Sequence, residues 1–168
     1  MGPPQSATAR PTDAVAARAC TITGTAGPNR LVGTARSDVL CGLGGDDRLR
    51  GNGGPDLVRG GGGGDLLQGR KGADRLDGGS GDDKAFGGAG ADDLRGGRGD
   101  DGLGGGFGPD DMSGGPDRDV ALYGQRGQSV RVTIGKGAND GVAGEHDNVH
   151  GDVEDVRGGR GNDVLIGN

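Results

Sequence analysis

Eleven positions spaced nine residues apart carry a carboxylate or its amide: Asn29, then Asp38, Asp47, Asp56, Asp65, Asp74, Asp83, Asp92, Asp101, Asp110 and Asp119. Oxygen-bearing side chains at so strict an interval suit one of two chemistries. A catalytic acid and base would need two carboxylates of different character in one pocket, with a nucleophile or electrophile beside them. Here the carboxylates are equivalent by position, serines are few, and both histidines, His146 and His150, fall in one segment. The sequence therefore does not read as an enzyme. Repeated ligation of a hard cation fits better, since such an ion takes several oxygens and is satisfied by the same group used many times.

The residues around each aspartate show what must position it. From Gly24 to Leu122 a nine-residue phrase recurs eleven times without insertion or deletion. Its first position is always glycine, its sixth is the acid or amide, and its eighth is always apolar, from Leu31 and Leu40 to Met112 and Ala121. Glycine also fills the fourth position, except at Arg36 and Asp117. In GRKGADRLD, Gly69 to Asp77, the grammar is a six-residue turn followed by a three-residue strand. Gly69 and Gly72 are expected to take positive φ, Asp74 to end the turn, Leu76 to point inward, and Arg75 and Asp77 to face water.

A three-residue strand is not stable alone. Two phrases complete a coil of eighteen residues, however, and coils stack at a strand spacing of about 4.8 Å. The fold class is therefore all-β, a parallel β-roll (a β-solenoid) with two repeats per coil. Phrases two apart share a side, so Asp47, Asp65, Asp83 and Asp101 form one column and Asp38, Asp56, Asp74, Asp92 and Asp110 the other. Bare carboxylates at that spacing repel by about 3 kcal/mol per pair at an effective dielectric near 20. A divalent cation between turns reverses the sign. Calcium, with six to eight oxygen ligands in flexible geometry, suits glycine-rich turns that expose carbonyls; magnesium, tighter and slower to shed water, suits them less.

The phrases GGGGGDLLQ, GGSGDDKAF, GGAGADDLR and GGRGDDGLG resemble the RTX, or haemolysin-type, calcium-binding nonapeptide. The resemblance implies a parallel β-roll with several Ca²⁺ ions between consecutive turns, in bacterial proteins that are secreted and that fold on meeting calcium outside the cell. It implies as ligands Asp47, Asp56, Asp65, Asp74, Asp83, Asp92, Asp101 and Asp110, with the backbone carbonyls of Gly63, Gly72, Gly81, Gly90 and Gly99. Asp38, Asp119 and Asp163 are secondary candidates. The first two phrases depart from the pattern, with Asn29 uncharged and Thr25, Thr34 and Arg36 in place of turn glycines. They read as a cap.

Composition sets the energetic problem. Of 168 residues 44 are glycine, with 29% hydrophobic, 2% aromatic and a net charge of -6, so an ordinary core is out of reach and disorder is the alternative unless metal supplies the missing stabilisation. No apolar run approaches the roughly 18 residues of a membrane span. The acidic, aromatic-poor chain also argues against nucleic-acid binding.

Four regions follow. Residues 1–19 read as a flexible tail lacking the apolar core of a signal peptide, so an extracellular location implies another export route or a leader upstream. Residues 20–122 are the roll with its cap, where Cys20 and Cys41 form a disulfide or, in a reducing compartment, stay as thiols. Residues 123–157 hold an alternating strand through Val130, Val132 and Ile134, expected to cover an end of the roll, and an acidic loop with Asp140, Glu145, Asp147, Asp152, Glu154 and Asp155. That loop is either a further source of calcium ligands or a solvated turn, and the spacing of His146 and His150 without a third ligand disfavours zinc. Residues 158–168 resume the repeat with Asp163 and Leu165 and stop in mid-coil. Two other functions stay open: an adhesion or spacer module with a cell-surface or matrix partner, and a secretion and stabilisation module of a larger exoenzyme.

Overall fold

The computed structural model describes residues 19–124, 127–137 and 140–167; the tail expected over 1–19 lies almost wholly outside them. Twelve strands come from the eleven phrases and the segment just before them: β1 (Ile22–Thr23), β2 (Arg30–Val32), β3 (Val39–Cys41), β4 (Arg48–Gly53), β5 (Leu57–Gly62), β6 (Leu66–Lys71), β7 (Arg75–Ser80), β8 (Lys84–Ala89), β9 (Asp93–Arg98), β10 (Gly102–Phe107), β11 (Asp111–Ser113) and β12 (Val120–Leu122). Odd strands stack in parallel into one sheet and even strands into another. The register is set by the repeat: Leu40 pairs with Val58, Val58 with Leu76, and Leu49 with Leu67, each eighteen residues on. The parallel β-roll with two phrases per coil is therefore the fold.

Eighth-position side chains from the two sheets meet between them. Leu40, Val58, Leu67, Leu76, Leu94, Leu103 and Met112 are fully buried in one continuous cluster. The core is only one side chain deep per strand, which is why so hydrophilic a chain can still form it. At the start, a Cys20–Cys41 disulfide ties the segment before β1 to β3, whose Leu40 and Cys41 pair with Ile22 and Thr23.

The middle strands are longer than the three residues expected. β4 through β10 each run six residues, continuing into the first three positions of the next phrase. Their ladder skips the first position and resumes after it, as in Asn52 with Arg70 and Gly53 with Lys71. The turn is correspondingly tighter, confined to the residues just before the aspartate.

Past β12 the structure departs from the sequence expectation. The strands are β13 (Val130–Thr133), β14 (Gly141–Val142), β15 (Asn148–Val149), β16 (Asp155–Arg157) and β17 (Val164–Ile166). Val130, Val132 and Ile134 are buried and join the core, as a covering strand should. The acidic stretch is not a loop, however. β15 stacks on β11 and β16 on β12, adding one more coil to the roll. The resumed phrase does not continue either main sheet: β17 pairs with β13, which also carries β14, in a separate three-stranded sheet. The step from Asp110 to Asp147 is 37 residues where the repeat has 18, an insertion of 19, and the last phrase finds its parallel partner in β13.

Candidate metal centre

Each aspartate of the repeat uses its two oxygens differently. One accepts a backbone N–H from the aspartate of the coil before: Asp47 N–H donates to Asp65 Oδ1 at 2.7 Å, Asp65 to Asp83 at 2.7 Å, and Asp83 to Asp101 at 2.8 Å. The other column runs in the same way from Asp38 through Asp56, Asp74 and Asp92 to Asp110. The two columns read from the sequence are thus brought together as expected.

The second oxygen has no partner. The Oδ2 atoms of Asp47, Asp56, Asp65, Asp74, Asp83, Asp92, Asp101, Asp110 and Asp119 are buried and accept no hydrogen bond. Nine bare carboxylate oxygens in a folded interior would be untenable without a compensating charge. Burial raises six of them to values well above the ordinary carboxylate range: Asp110 to about 8, Asp83 and Asp92 to about 7, and Asp56, Asp101 and Asp119 to about 6, with neighbouring carboxylates adding to the shift. Asp65 and Asp74 are raised by burial as well.

The invariant first glycine explains where that oxygen lies. A Cβ on Gly42 would strike both Asp47 Oδ2 and the carbonyl oxygen of Gly60, one coil on. Gly60 faces Asp65 and Gly78 in the same way, and Gly69 faces Asp74 and Gly87. Position one is therefore glycine because a carboxylate and a carbonyl oxygen converge on its α-carbon. Gly69 was expected at positive φ and is not there; in its phrase the left-handed residues are Arg70, at 89°, and Gly72, at 125°. At position four the requirement is conformational and steric together. Gly63, Gly72, Gly81, Gly90 and Gly99 all have positive φ, and a Cβ on each would meet the carbonyl of its counterpart one coil earlier. The carbonyls of Gly45, Gly54, Gly63, Gly72 and Gly81 therefore point into the gap between coils.

Buried carboxylate oxygens and inter-coil carbonyl oxygens thus recur along both columns, a set of hard oxygen donors. Among the described residues no three acidic, histidine or cysteine side chains converge, so a cation here must draw most of its ligands from backbone carbonyls. That donor set fits a hard divalent ion of flexible coordination.

The secondary candidates divide. Asp119 is fully buried with a bare Oδ2, like the central eight. Asp38 is half-buried, and its Oδ2 is already taken by Thr34 through the backbone N–H at 2.6 Å and the hydroxyl at 2.8 Å. Asn29 is closed in the same manner, accepting from Thr25 N–H and donating to the Gly27 carbonyl at 2.7 Å. Asp163 is half-exposed, its Oδ1 receiving Val130 N–H at 3.0 Å.

Two carboxylates of the acidic stretch, read from the sequence as either further calcium ligands or part of a solvated turn, are column members whose place the phase did not give. Asp147 receives Asp110 N–H at 3.0 Å, and Glu154 receives Asp119 N–H at 2.8 Å, so both stand where the next aspartates would. Their signal was the apolar residue two places on, Val149 and Val156, hidden because the insertion breaks phase and the phrase at Gly151 is shortened to seven residues. Asp147 is fully buried and its Oδ2 accepts from the Tyr123 hydroxyl at 3.1 Å, so the acidic stretch is not a solvated turn. His150 Nε2 lies 2.6 Å from Asp111 Oδ1 and 2.9 Å from Asn148, and His146 sits exposed in a left-handed turn.

Fold and site together define a calcium-binding β-roll. The model of the RTX calcium-binding nonapeptide repeat matches residues 23–58, 50–85, 59–94, 68–103, 86–121 and 146–168, and the chain belongs to that family. No curated protein and no solved structure matched it. Among the described residues no helix is long and apolar enough to cross a membrane.

Proposed function

We propose that this chain is a secreted, non-catalytic module whose biochemical activity is folding on calcium. The observation that carries this reading is the set of bare Oδ2 atoms, which leaves the roll short of charge compensation along both columns. Asp47, Asp56, Asp65, Asp74, Asp83, Asp92, Asp101, Asp110 and Asp119 would hold the ions with the turn carbonyls of the position-four glycines, Gly63, Gly72, Gly81, Gly90 and Gly99 among them. When bound, calcium supplies the positive charge that the buried carboxylates lack.

The chain's own residues do the rest. The first glycine keeps the gap open, the left-handed fourth residue aims its carbonyl across it, and Oδ1 of each aspartate holds the coil below in register. None of these arrangements exists in the open chain, so binding energy appears as folding energy. A cytosol poor in calcium would keep the chain unfolded, and the extracellular medium would fold it. The disulfide fits an oxidising compartment.

Replacing Asp65 and Asp83 together with alanine tests the ligand set. The calcium concentration at the folding midpoint, followed by circular dichroism, should rise by at least the roughly 10–100-fold that loss of even an outer-sphere partner costs a metal site. Replacing His146 and His150 should leave it in place. An unchanged midpoint for the aspartate pair would refute the ligand assignment.

A further inference from the structure

The two main sheets present different outer faces to solvent, although both are built from the same phrase. On the odd sheet the seventh and ninth positions of β5 to β11 hold Arg59, Arg75 and Arg95 against Asp77, Asp93 and Asp111. Both signs are interleaved there: Asp93 lies 3.3 Å from Arg75 and 3.6 Å from Arg95, although its other register partner, Asp111, is like-charged and lies beside His150 instead. On the even sheet the same positions from β2 to β12 hold Arg30, Arg48, Arg50 and Lys84 and no carboxylate. Arg30 and Arg48 are direct register partners, an arrangement of like charges that costs stability. Among the described residues no ion pair relieves these four cations. Arg50 Nε and Arg70 Nη2 both donate to the neutral Gln68 Oε1, each at 3.3 Å, which holds two guanidinium groups beside one uncharged acceptor.

Between the seventh-position and ninth-position rows runs a shallow trough of about 250 Å³, lined by Arg30, Arg48, Arg50, Val32, Leu66 and Gln68. We propose that this trough binds a linear sulfated polysaccharide. Guanidinium groups in fixed array match the oxygen forks of sulfate esters, and the half-exposed Val32 and Leu66 offer apolar contact to the C–H face of a sugar ring. The run of guanidinium groups favours an extended polyanion over a lipid surface, since Leu31, Val32 and Leu66 are the only partly exposed apolar side chains among the described residues lining the trough. No aromatic ring lines it, so nothing there stacks the bases of a single-stranded nucleic acid. The odd sheet, where three carboxylates are interleaved with three arginines at the same positions, offers no equivalent run of cations.

The test is titration of the full chain, in saturating calcium, with a size-defined heparin oligosaccharide by calorimetry. Arg48→Ser/Arg50→Ser on the even sheet is compared with Arg75→Ser/Arg95→Ser on the odd sheet, both removing the same charge. Circular dichroism establishes that each is folded, and Arg48→Lys/Arg50→Lys serves as a second variant that keeps charge but loses the fork. Wild type should bind with an affinity that falls steeply with salt, the even-sheet serine variant about tenfold or more weaker, and the lysine variant in between. The odd-sheet variant should stay within about twofold, as expected for rim charge alone. Equal losses from both sheets, no binding by wild type, or binding to anionic vesicles or single-stranded DNA in preference to heparin would overturn the proposal.

Discussion

In the first two phrases the side-chain oxygen that faces the turn is satisfied inside its own phrase, by Thr25 for Asn29 and by Thr34 for Asp38. From the third phrase to the eleventh the same oxygen is buried and bare. The backbone changes with it. No residue from Thr21 to Arg36 has positive φ, whereas from Leu43 onward the second and fourth positions of nearly every phrase do. A threonine at position two thus closes by hydrogen bonding what the later turns leave open for a cation. One end of the roll is closed by ordinary protein hydrogen bonds, with a disulfide added; the body leaves its buried carboxylate oxygens without a partner.

That contrast can be broken most forcefully at the first glycine. Gly60→Ala places a Cβ against Asp65 Oδ2 and the Gly78 carbonyl, and should cost about 4 kcal/mol or prevent folding in calcium. Gly44→Ala, whose nearest neighbours stand at 3.7 Å, should shift the thermal midpoint by little. Reducing the Cys20–Cys41 bond should come next, lowering stability by about 3 kcal/mol, the loop-entropy value for a closure of this length. Its loss should appear as faster amide exchange at Leu40 and Cys41 than at Leu76 or Leu94.

Acidity separates the two regions further. Burial pushes Asp56, Asp83, Asp92, Asp101, Asp110 and Asp119 up to about 6 to 8 in the fold against an ordinary 3.8, so between those values the folded chain binds more protons than the unfolded one. Their contribution to the calcium-free roll is therefore most favourable below about pH 4 and is lost as pH rises towards about 8. In chelator, β structure followed by circular dichroism should be greatest near pH 4 and be lost as the pH rises through that interval to neutral, and saturating calcium should flatten or reverse the trend. The smallest effect sharpens the contrast from the other side. Thr34→Gly removes the hydroxyl donor to Asp38 Oδ2 and lets position two take the positive φ of the later turns, which redirects its N–H, and, combined with Arg36→Gly, should turn a closed phrase into an open one, adding one calcium to the stoichiometry read by calorimetry.

The fold was legible because three columns held phase over the array, and the pairing of Val58 with Leu76 follows directly from an eighteen-residue coil. The aspartate columns were legible for the same reason. Three things were not. The role of the first glycine is steric and appears only when Gly42 is seen beside Asp47 and Gly60. The threonines looked like lost glycines, whereas Thr25 through its N–H, and Thr34 through its N–H and hydroxyl, take the place on the side-chain oxygen that a cation would hold. Beyond Tyr123 the period breaks, so Asp147 and Glu154 could be placed only through their contacts with Asp110 and Asp119, one coil away in space but 37 and 35 residues away in sequence.

The central claim is that calcium and folding are one event in phrases three to eleven. A calcium titration of the chelator-treated chain, followed in parallel by circular dichroism and calorimetry, tests it most directly. The account predicts a disordered spectrum without calcium, several ions bound per chain, and a β transition that coincides with binding in one cooperative step. A fully β-rich spectrum in chelator near neutral pH, or calcium bound with no change in structure, would contradict it.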